Sequence, residues 1–232
     1  MTLFHVREIH TIEISSRCQL ACRYCLHPHL ARPIQDMDAI TWQRTLAWVR
    51  HFVAAGTQGE LLLNGTGEST LHPDFAEMVQ QARKALGPDR DLGIATNGVG
   101  WTEALVNAIA PARLTVWLSL HRPELSERTH WWLKRAGLLK GATCDPAMNP
   151  TNWCGQVDWP QTVLMYNPLQ TCTWLKDGGV MVGSDGRMFA CCYSNGQEDT
   201  VVGDVADLPY GITTHGHGLC AACWQGVPER AS

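Results

Sequence analysis

The stretch Leu92-Gly93-Ile94-Ala95-Thr96-Asn97-Gly98, then Glu103 to Ile109, then Leu114-Thr115-Val116-Trp117-Leu118-Ser119-Leu120, reads as strand, short helix and strand. Two short apolar runs joined through a helix form a crossover, and a crossover makes its strands parallel. The same alternation extends towards the N-terminus. Pro73 to Leu86 is an amphipathic helix closed by Gly87-Pro88, and Glu60 to Asn64 is a short buried strand before a Gly-rich turn. Residues 38–55 repeat Ile40, Leu46, Trp48, Val49, Phe52 and Val53 at helical spacing up to Gly56, and Ile9 to Ser15 is a β-branched run.

Towards the C-terminus a helix is expected from Glu124 to Lys140. Segment 141–161 loses periodicity around Pro146, Pro150 and Pro160, and Thr162 to Tyr166 reads as a last strand. From about residue 168 the turns Asp177-Gly178-Gly179 and Ser184-Asp185-Gly186 predict a hairpin-based appendage. The order β-α-β-α-β-α-β predicts an α/β fold of parallel strands, as an open sheet or a full or partial barrel, with its chemistry at the carboxyl ends of the strands. Trp48 and Trp117 are expected in the core.

The 232 residues, 45% hydrophobic and 17% charged, suffice for one large domain with a small extension and argue against disorder. Eighteen Lys and Arg against 22 Asp and Glu give a net charge of −4, which disfavours binding nucleic acid through a globally basic surface. No apolar run approaches the ~20 residues of a membrane span, and Met1 to Glu8 carries charge where a signal peptide is apolar. These features predict a cytosolic protein with no membrane partner. In a reducing compartment ten cysteines point to metal or cluster ligation rather than disulfides.

Cys18-Gln19-Leu20-Ala21-Cys22-Arg23-Tyr24-Cys25 places three thiolates on one loop after the first strand, a set that can hold three irons of a cubane and leave the fourth open. A zinc knuckle completed by His27 or His29 is the alternative on spacing alone. The Cys-x3-Cys-x2-Cys spacing, with Tyr24 before the third Cys, resembles the signature of the radical S-adenosylmethionine (radical SAM) superfamily. Gly65-Thr66-Gly67-Glu68 resembles that family's Gly-Gly-Glu-Pro turn, with Thr66 for the first Gly and Ser69 for the Pro; Thr96-Asn97-Gly98 resembles its Thr-Asn-Gly segment. Ser119 falls where relatives contact the ribose.

The resemblance implies a partial (β/α)6 barrel over residues 1–167, with S-adenosylmethionine held by Tyr24, Gly65, Gly67, Glu68, Asn97 and Ser119. It implies a [4Fe-4S] cluster on Cys18, Cys22 and Cys25, and a reductant such as flavodoxin or ferredoxin. The fifth-strand adenine motif of relatives has no counterpart here.

Cys172, Gly186, Cys191 and Cys220-Ala221-Ala222-Cys223 follow the Cys-x(9–15)-Gly-x4-Cys and Cys-x2-Cys spacings of the SPASM family of extensions. Their shortened form, the twitch domain, is expected over residues 168–232. It would carry a second [4Fe-4S] cluster on Cys172, Cys191, Cys220 and Cys223. Cys192 is a substitute for Cys191, and a four-cysteine zinc site satisfies the same spacing.

Cys144 and Cys154 are candidates to donate a hydrogen atom or proton, or are simply small buried hydrophobes. Between His121 and Lys140, Arg122, Arg128, Lys134, Arg135 and Lys140 interleave with His130, Trp131 and Trp132; this is either a solvated helix face or a groove for phosphates and bases. A wide mouth predicts a bulky substrate or conjugate, nucleic acid among the candidates. Three functions therefore compete: oxidation or rearrangement of a small molecule or residue, including a peptide residue, by hydrogen abstraction; the same chemistry on a nucleobase, such as an amino-acid-bearing thymidine; and a non-catalytic metal-binding module.

Overall fold

A computed structural model describes residues 3–120, 122–143, 153–154, 156–158, 174, 177–207 and 212–213. Strand β1 (Leu3–Phe4) pairs antiparallel with β10 (Ile212–Thr213). Among the described residues the main sheet has eight strands in the order β6-β5-β4-β3-β2-β7-β8-β9. Strands β2 (Glu8–Ile12), β3 (Leu61–Leu62), β4 (Leu92–Thr96), β5 (Thr115–Ser119) and β6 (Leu139–Thr143) are all parallel. Among the described residues the sheet is not closed, and its parallel part is a partial barrel.

Four helices cover one face: α1 (Ala39–Ala54), α2 (Phe75–Leu86), α3 (Glu103–Ile109) and α4 (Pro123–Arg135). Helix α1 starts at Asp38, whose carboxylate accepts from Ile40 N (2.8 Å) and Thr41 N (2.9 Å). These bonds, the backbone N–H of Thr41 foremost, hold its pKa below the usual carboxylate value. Trp42, Leu46, Val49 and Phe52 recur at the spacing of one helical face and bury against the sheet, each contributing about 1.5–3 kcal/mol relative to exposure.

Leu61, Leu63, Leu92, Ile94, Leu114 and Val116 meet the helices in the core. Their alternates point to the inner face, because strand side chains alternate.

Two expectations are corrected. The helix expected to reach Lys140 ends at Arg135, and Leu139–Thr143 is a strand. Gly137 takes φ +70°, and Leu138 N bonds back to Leu133 O (3.0 Å), which closes the helix and frees the next residues to extend. Trp117, expected in the core, lies half-buried on the inner face between core residues Val116 and Leu118. The strand expected at 162–166 and the boundary expected at 167/168 lie outside the described residues.

The expected hairpin is present: β7 (Gly179–Val182) and β8 (Arg187–Phe189) pair antiparallel around Ser184-Asp185-Gly186, and β9 (Val201–Asp204) adds to them. β7 also pairs in parallel with β2, so the hairpin continues the barrel sheet.

Candidate functional site

The first cysteine loop hangs from a pinched neck. Ser16 N bonds to Gln35 O (2.9 Å), Met37 N to Ile14 O (2.8 Å), and Ser15 Oγ donates to Asp36 (2.7 Å). Between these ties, Cys25 N bonds to Cys22 O (3.0 Å) and turns the chain, while Leu20 N and His27 N point at the sulfurs of Cys18 (3.5 Å) and Cys25 (3.4 Å). Burial, then the neighbouring Cys22 and Cys18, pushes the Cys25 thiol up to about 11; burial also raises Cys18. Tyr24 is buried and its hydroxyl bonds to Cys22; burial and the adjacent sulfurs raise its pKa. Metal binding to such thiols displaces protons.

His27, one of the two possible zinc ligands, places Nε2 2.8 Å from Ser16 O. A cubane takes one thiolate per iron, and three half-buried cysteines on one loop fit that donor set.

The turn after β3 packs directly beneath this loop. A Cβ on Gly67 would lie 2.3 Å from Ser15 O and 2.6 Å from the backbone of Ser16, so only glycine allows the approach. Glu68 N then donates to Arg17 O (2.7 Å). The Glu68 side chain is only 2% exposed. Its Oε1 accepts from Thr96 Oγ1 (2.7 Å) and Thr70 Oγ1 (2.8 Å), and its Oε2 from Asn97 N (2.8 Å). Burial raises its pKa and these bonds oppose the rise. At least three of a carboxylate's roughly four acceptor positions are thus filled, and the Thr70 backbone N–H adds to them.

Asn97 completes the junction, since its Nδ2 reaches Cys18 Sγ (3.8 Å) and Gln19 Oε1 (3.4 Å). Gln19 Nε2 in turn reaches Asn97 Oδ1 (3.3 Å) and Val99 O (3.0 Å). The three sequence motifs therefore meet in one place. Ser119, half-buried at the end of β5, lies at the same ends of the strands.

Glu13 and Arg32 were not singled out by sequence reasoning. They form an ion pair with both side chains wholly buried. Arg32 Nη2 donates to Glu13 Oε1 (2.9 Å) and to Thr66 Oγ1 (3.1 Å), and Thr66 N and Oγ1 both donate to Glu13 Oε1 (2.8 Å each). This network ties the end of the cysteine loop to the glycine turn. Their only signal was the charge at Glu13, directly after β2 and between Ile12 and Ile14; the pairing across 19 residues leaves none. Gln19 is likewise missed, because its partners come from the loop after β4.

Of the second group, Cys191 and Cys192 are half-buried just after β8. Cys172, Cys220 and Cys223, and Cys144, lie outside the described residues. The loop carrying Cys191 docks on the first cysteine loop: Ala31 N bonds to Asn195 O (2.8 Å) and Asn195 Nδ2 to His29 O (3.1 Å). Beside Cys154, Trp153 donates to Tyr24 O (2.8 Å) and meets the Tyr193 ring edge-on at 5.4 Å. The structure thus brings Cys154 towards both cysteine loops.

The basic segment lies on α4. Glu127, Arg128, Trp131 and Trp132 line a groove of about 450 Å³, with Arg135 4.5 Å over the Trp131 ring. Arg135 also pairs with Glu103, and Arg122 with Glu124 (2.6 Å), so part of its charge is neutralised. No helix among the described residues is long and apolar enough to cross a membrane.

The family model described as the radical SAM superfamily matches residues 12–140, which span β2 to β6. A Pyrococcus furiosus tungsten-containing aldehyde ferredoxin oxidoreductase cofactor-modifying protein is 32% identical over 99 residues, covering 43% of this chain and 26% of that protein. GTP 3′,8-cyclase 1 of Mycobacterium tuberculosis is 30% identical over 118 residues (49% and 32%). The PqqA peptide cyclase of Ruegeria pomeroyi is 32% identical over 121 residues (50% and 30%). The matches thus span only about a quarter to a third of these relatives. Among solved structures, BtrN in complex with AdoMet and 2-DOIA superposes with a TM-score of 0.70 at 14% identity, covering 87% of this chain and 79% of that one. The structure of anSMEcpe with AdoMet and a peptide superposes at 0.59 and 15% identity, covering 87% and 78%. At such identities the shared property is the fold.

Proposed function

The chain belongs to the radical SAM superfamily, and from that premise we propose that it cleaves S-adenosylmethionine reductively and uses the resulting 5′-deoxyadenosyl radical to remove hydrogen from a substrate, leading to its oxidation or rearrangement. One observation carries this reading: the cysteine loop, the Gly65–Glu68 turn and the Thr96–Gly98 segment, distant in sequence, are joined by the hydrogen bonds of Glu68 and Asn97. When bound, a reduced cubane with one open iron supplies the electron that breaks the sulfonium bond to the 5′ carbon.

The chain's own residues supply binding and orientation. Cys18, Cys22 and Cys25 would hold the cluster, and Asn97 donates towards the Cys18 sulfur. Gly65 and Gly67 let the turn lie close to the neck, and Glu68, which fixes the backbone of Asn97, is assigned to the side of the methionyl amine. Ser119 is assigned to the ribose.

Cys172, Cys191, Cys220 and Cys223 are assigned to an auxiliary [4Fe-4S] cluster that assists the oxidation or rearrangement. The Cys-x(9–15)-Gly-x4-Cys and Cys-x2-Cys spacings support that assignment. A bulky substrate is consistent with the peptide named for anSMEcpe and for the PqqA cyclase, and a flavodoxin or ferredoxin is the proposed reductant.

The test is anaerobic incubation of the reconstituted protein with S-adenosylmethionine and dithionite. 5′-Deoxyadenosine should form with wild type and be absent with Cys22→Ala; equal formation by both would refute the reading. Two clusters predict about eight irons per chain, and zinc in the purified protein would count against the auxiliary assignment.

A further inference from the structure

Two side-chain amides meet beside the first cysteine, and the backbone of one residue fixes the orientation of both. Val99 N can only donate, and it donates to Asn97 Oδ1 (2.8 Å); Val99 O can only accept, and it accepts from Gln19 Nε2 (3.0 Å). The amides also pair with each other head to tail, Gln19 Nε2 to Asn97 Oδ1 at 3.3 Å and Asn97 Nδ2 to Gln19 Oε1 at 3.4 Å. Asn97 Nδ2 offers its second hydrogen to Cys18 Sγ (3.8 Å). That sulfur also accepts from Leu20 N (3.5 Å) and, as a thiol, donates to Gln19 Oε1 (4.0 Å).

Every polar valence of the Asn97 side chain is therefore used inside the protein: both hydrogens of Nδ2 and both acceptor positions of Oδ1. Asn97 is 7% exposed, and its backbone N is held by Glu68 Oε2. The turn beneath it is braced as well. Thr96 Oγ1 accepts from Gly98 N (3.1 Å) and Trp101 Nε1 (3.2 Å), and Thr129 Oγ1 donates to Gly98 O (2.8 Å). A donor fixed in this way needs no reorganisation when the charge on the sulfur changes. Hydrogen bonds to the sulfurs help to set a cluster's reduction potential, because the reduced cluster carries one more negative charge and gains more from a donor.

We propose that the Asn97 side chain serves the Cys18 sulfur rather than S-adenosylmethionine, raising the reduction potential of the first cluster, and that Gln19 is the positioning residue that keeps its N–H on that sulfur. This deepens the functional reading above and rests on it, since the cluster is the one assigned there to Cys18, Cys22 and Cys25. It departs from what the family resemblance implies for Asn97. Cluster binding displaces the Cys18 proton, and with it the bond to Gln19 Oε1; the Asn97 donor does not depend on that proton.

The test is an anaerobic potentiometric titration of the reconstituted full chain without S-adenosylmethionine. It is followed by electron paramagnetic resonance at the signal that added S-adenosylmethionine alters, which identifies the first cluster. Asn97→Ala should lower the ratio of reduced to oxidised cluster at a given potential by about tenfold, equivalent to about 59 mV for one electron. Asn97→Asp keeps an acceptor for Val99 N but turns a carboxylate oxygen to the sulfur, and should lower the ratio further. Gln19→Leu, at an exposed position with little demand on folding, leaves Val99 N on Asn97 Oδ1 and should shift it the same way by less. S-adenosylmethionine affinity of Asn97→Ala, read by equilibrium dialysis, should change by less than about threefold. Equal potentials in wild type and both Asn97 variants would overturn the proposal, as would a wild-type potential in Asn97→Asp beside a lowered one in Asn97→Ala, the mark of packing alone. A loss of cofactor affinity of about tenfold or more in Asn97→Ala would return its side chain to S-adenosylmethionine, and an unshifted Gln19→Leu would remove the positioning role. If no wild-type signal responds to S-adenosylmethionine, the functional reading itself fails; a responsive signal with unshifted variants refutes the hydrogen bond alone.

Discussion

Removing the Arg32 guanidinium isolates one buried charge beneath the site. In Arg32→Met the Glu13 carboxylate keeps the two bonds from Thr66 but loses its buried counter-charge. Breaking one partner of a fully buried pair costs about 3–5 kcal/mol. With a urea dependence of about 3 kcal/mol per molar for a chain of this size, the unfolding midpoint should fall by roughly 1–1.7 M.

The double variant Glu13→Gln with Arg32→Met removes both charges and keeps an acceptor for the Thr66 amide. It should recover much of the loss, with a residual cost of about 1–3 kcal/mol. The assay is urea unfolding followed by circular dichroism and tryptophan fluorescence together, so that coincident curves establish a single transition. A shift below about 0.3 M in Arg32→Met, or a double variant no more stable than the single one, would refute the claim that this pair holds the loop to the turn.

Gly67→Ala forces a methyl group against the backbone of Ser15 and Ser16; S-adenosylmethionine affinity by equilibrium dialysis should fall about tenfold or more. Asp38→Ala removes the cap of α1 and should cost about 1 kcal/mol, read as a drop of about 2–4 °C in melting temperature. Thr96→Val takes one donor from the buried Glu68 carboxylate, and a loss of about 1–3 kcal/mol is expected in the same melting assay. Cys191→Ser and Cys192→Ser, compared by iron content after anaerobic reconstitution, should differ, with the larger deficit in Cys191→Ser; equal content would remove the preference for Cys191.

The parallel core was legible because each crossover keeps its own local signal. Leu92–Thr96 and Glu103–Ile109 fall where the periodicity puts them. The strand at Leu139–Thr143 was hidden because Leu138, Leu139 and Lys140 continue the composition of the preceding helix, and only the left-handed backbone at Gly137 separates them. Trp117 was misplaced for a different reason: in an apolar strand, period-two alternation cannot show which face meets helices and which faces the barrel interior. The cysteine, glutamate and asparagine motifs were readable as local spacings. Their convergence, and the Glu13–Arg32 pair beneath them, depend on contacts between remote segments that no local pattern records.

The parallel pairing of β2 with β7 has a consequence for synthesis. Ile9 waits for Val180, about 170 residues later, and at ribosomal rates of roughly 5–20 residues per second that interval is on the order of 10–30 s. Throughout it, one border of the earliest barrel strand has no neighbour, and an unpaired border is a template for the wrong chain. Slow translation should therefore lower soluble yield, and supplying the hairpin in trans should offset the loss.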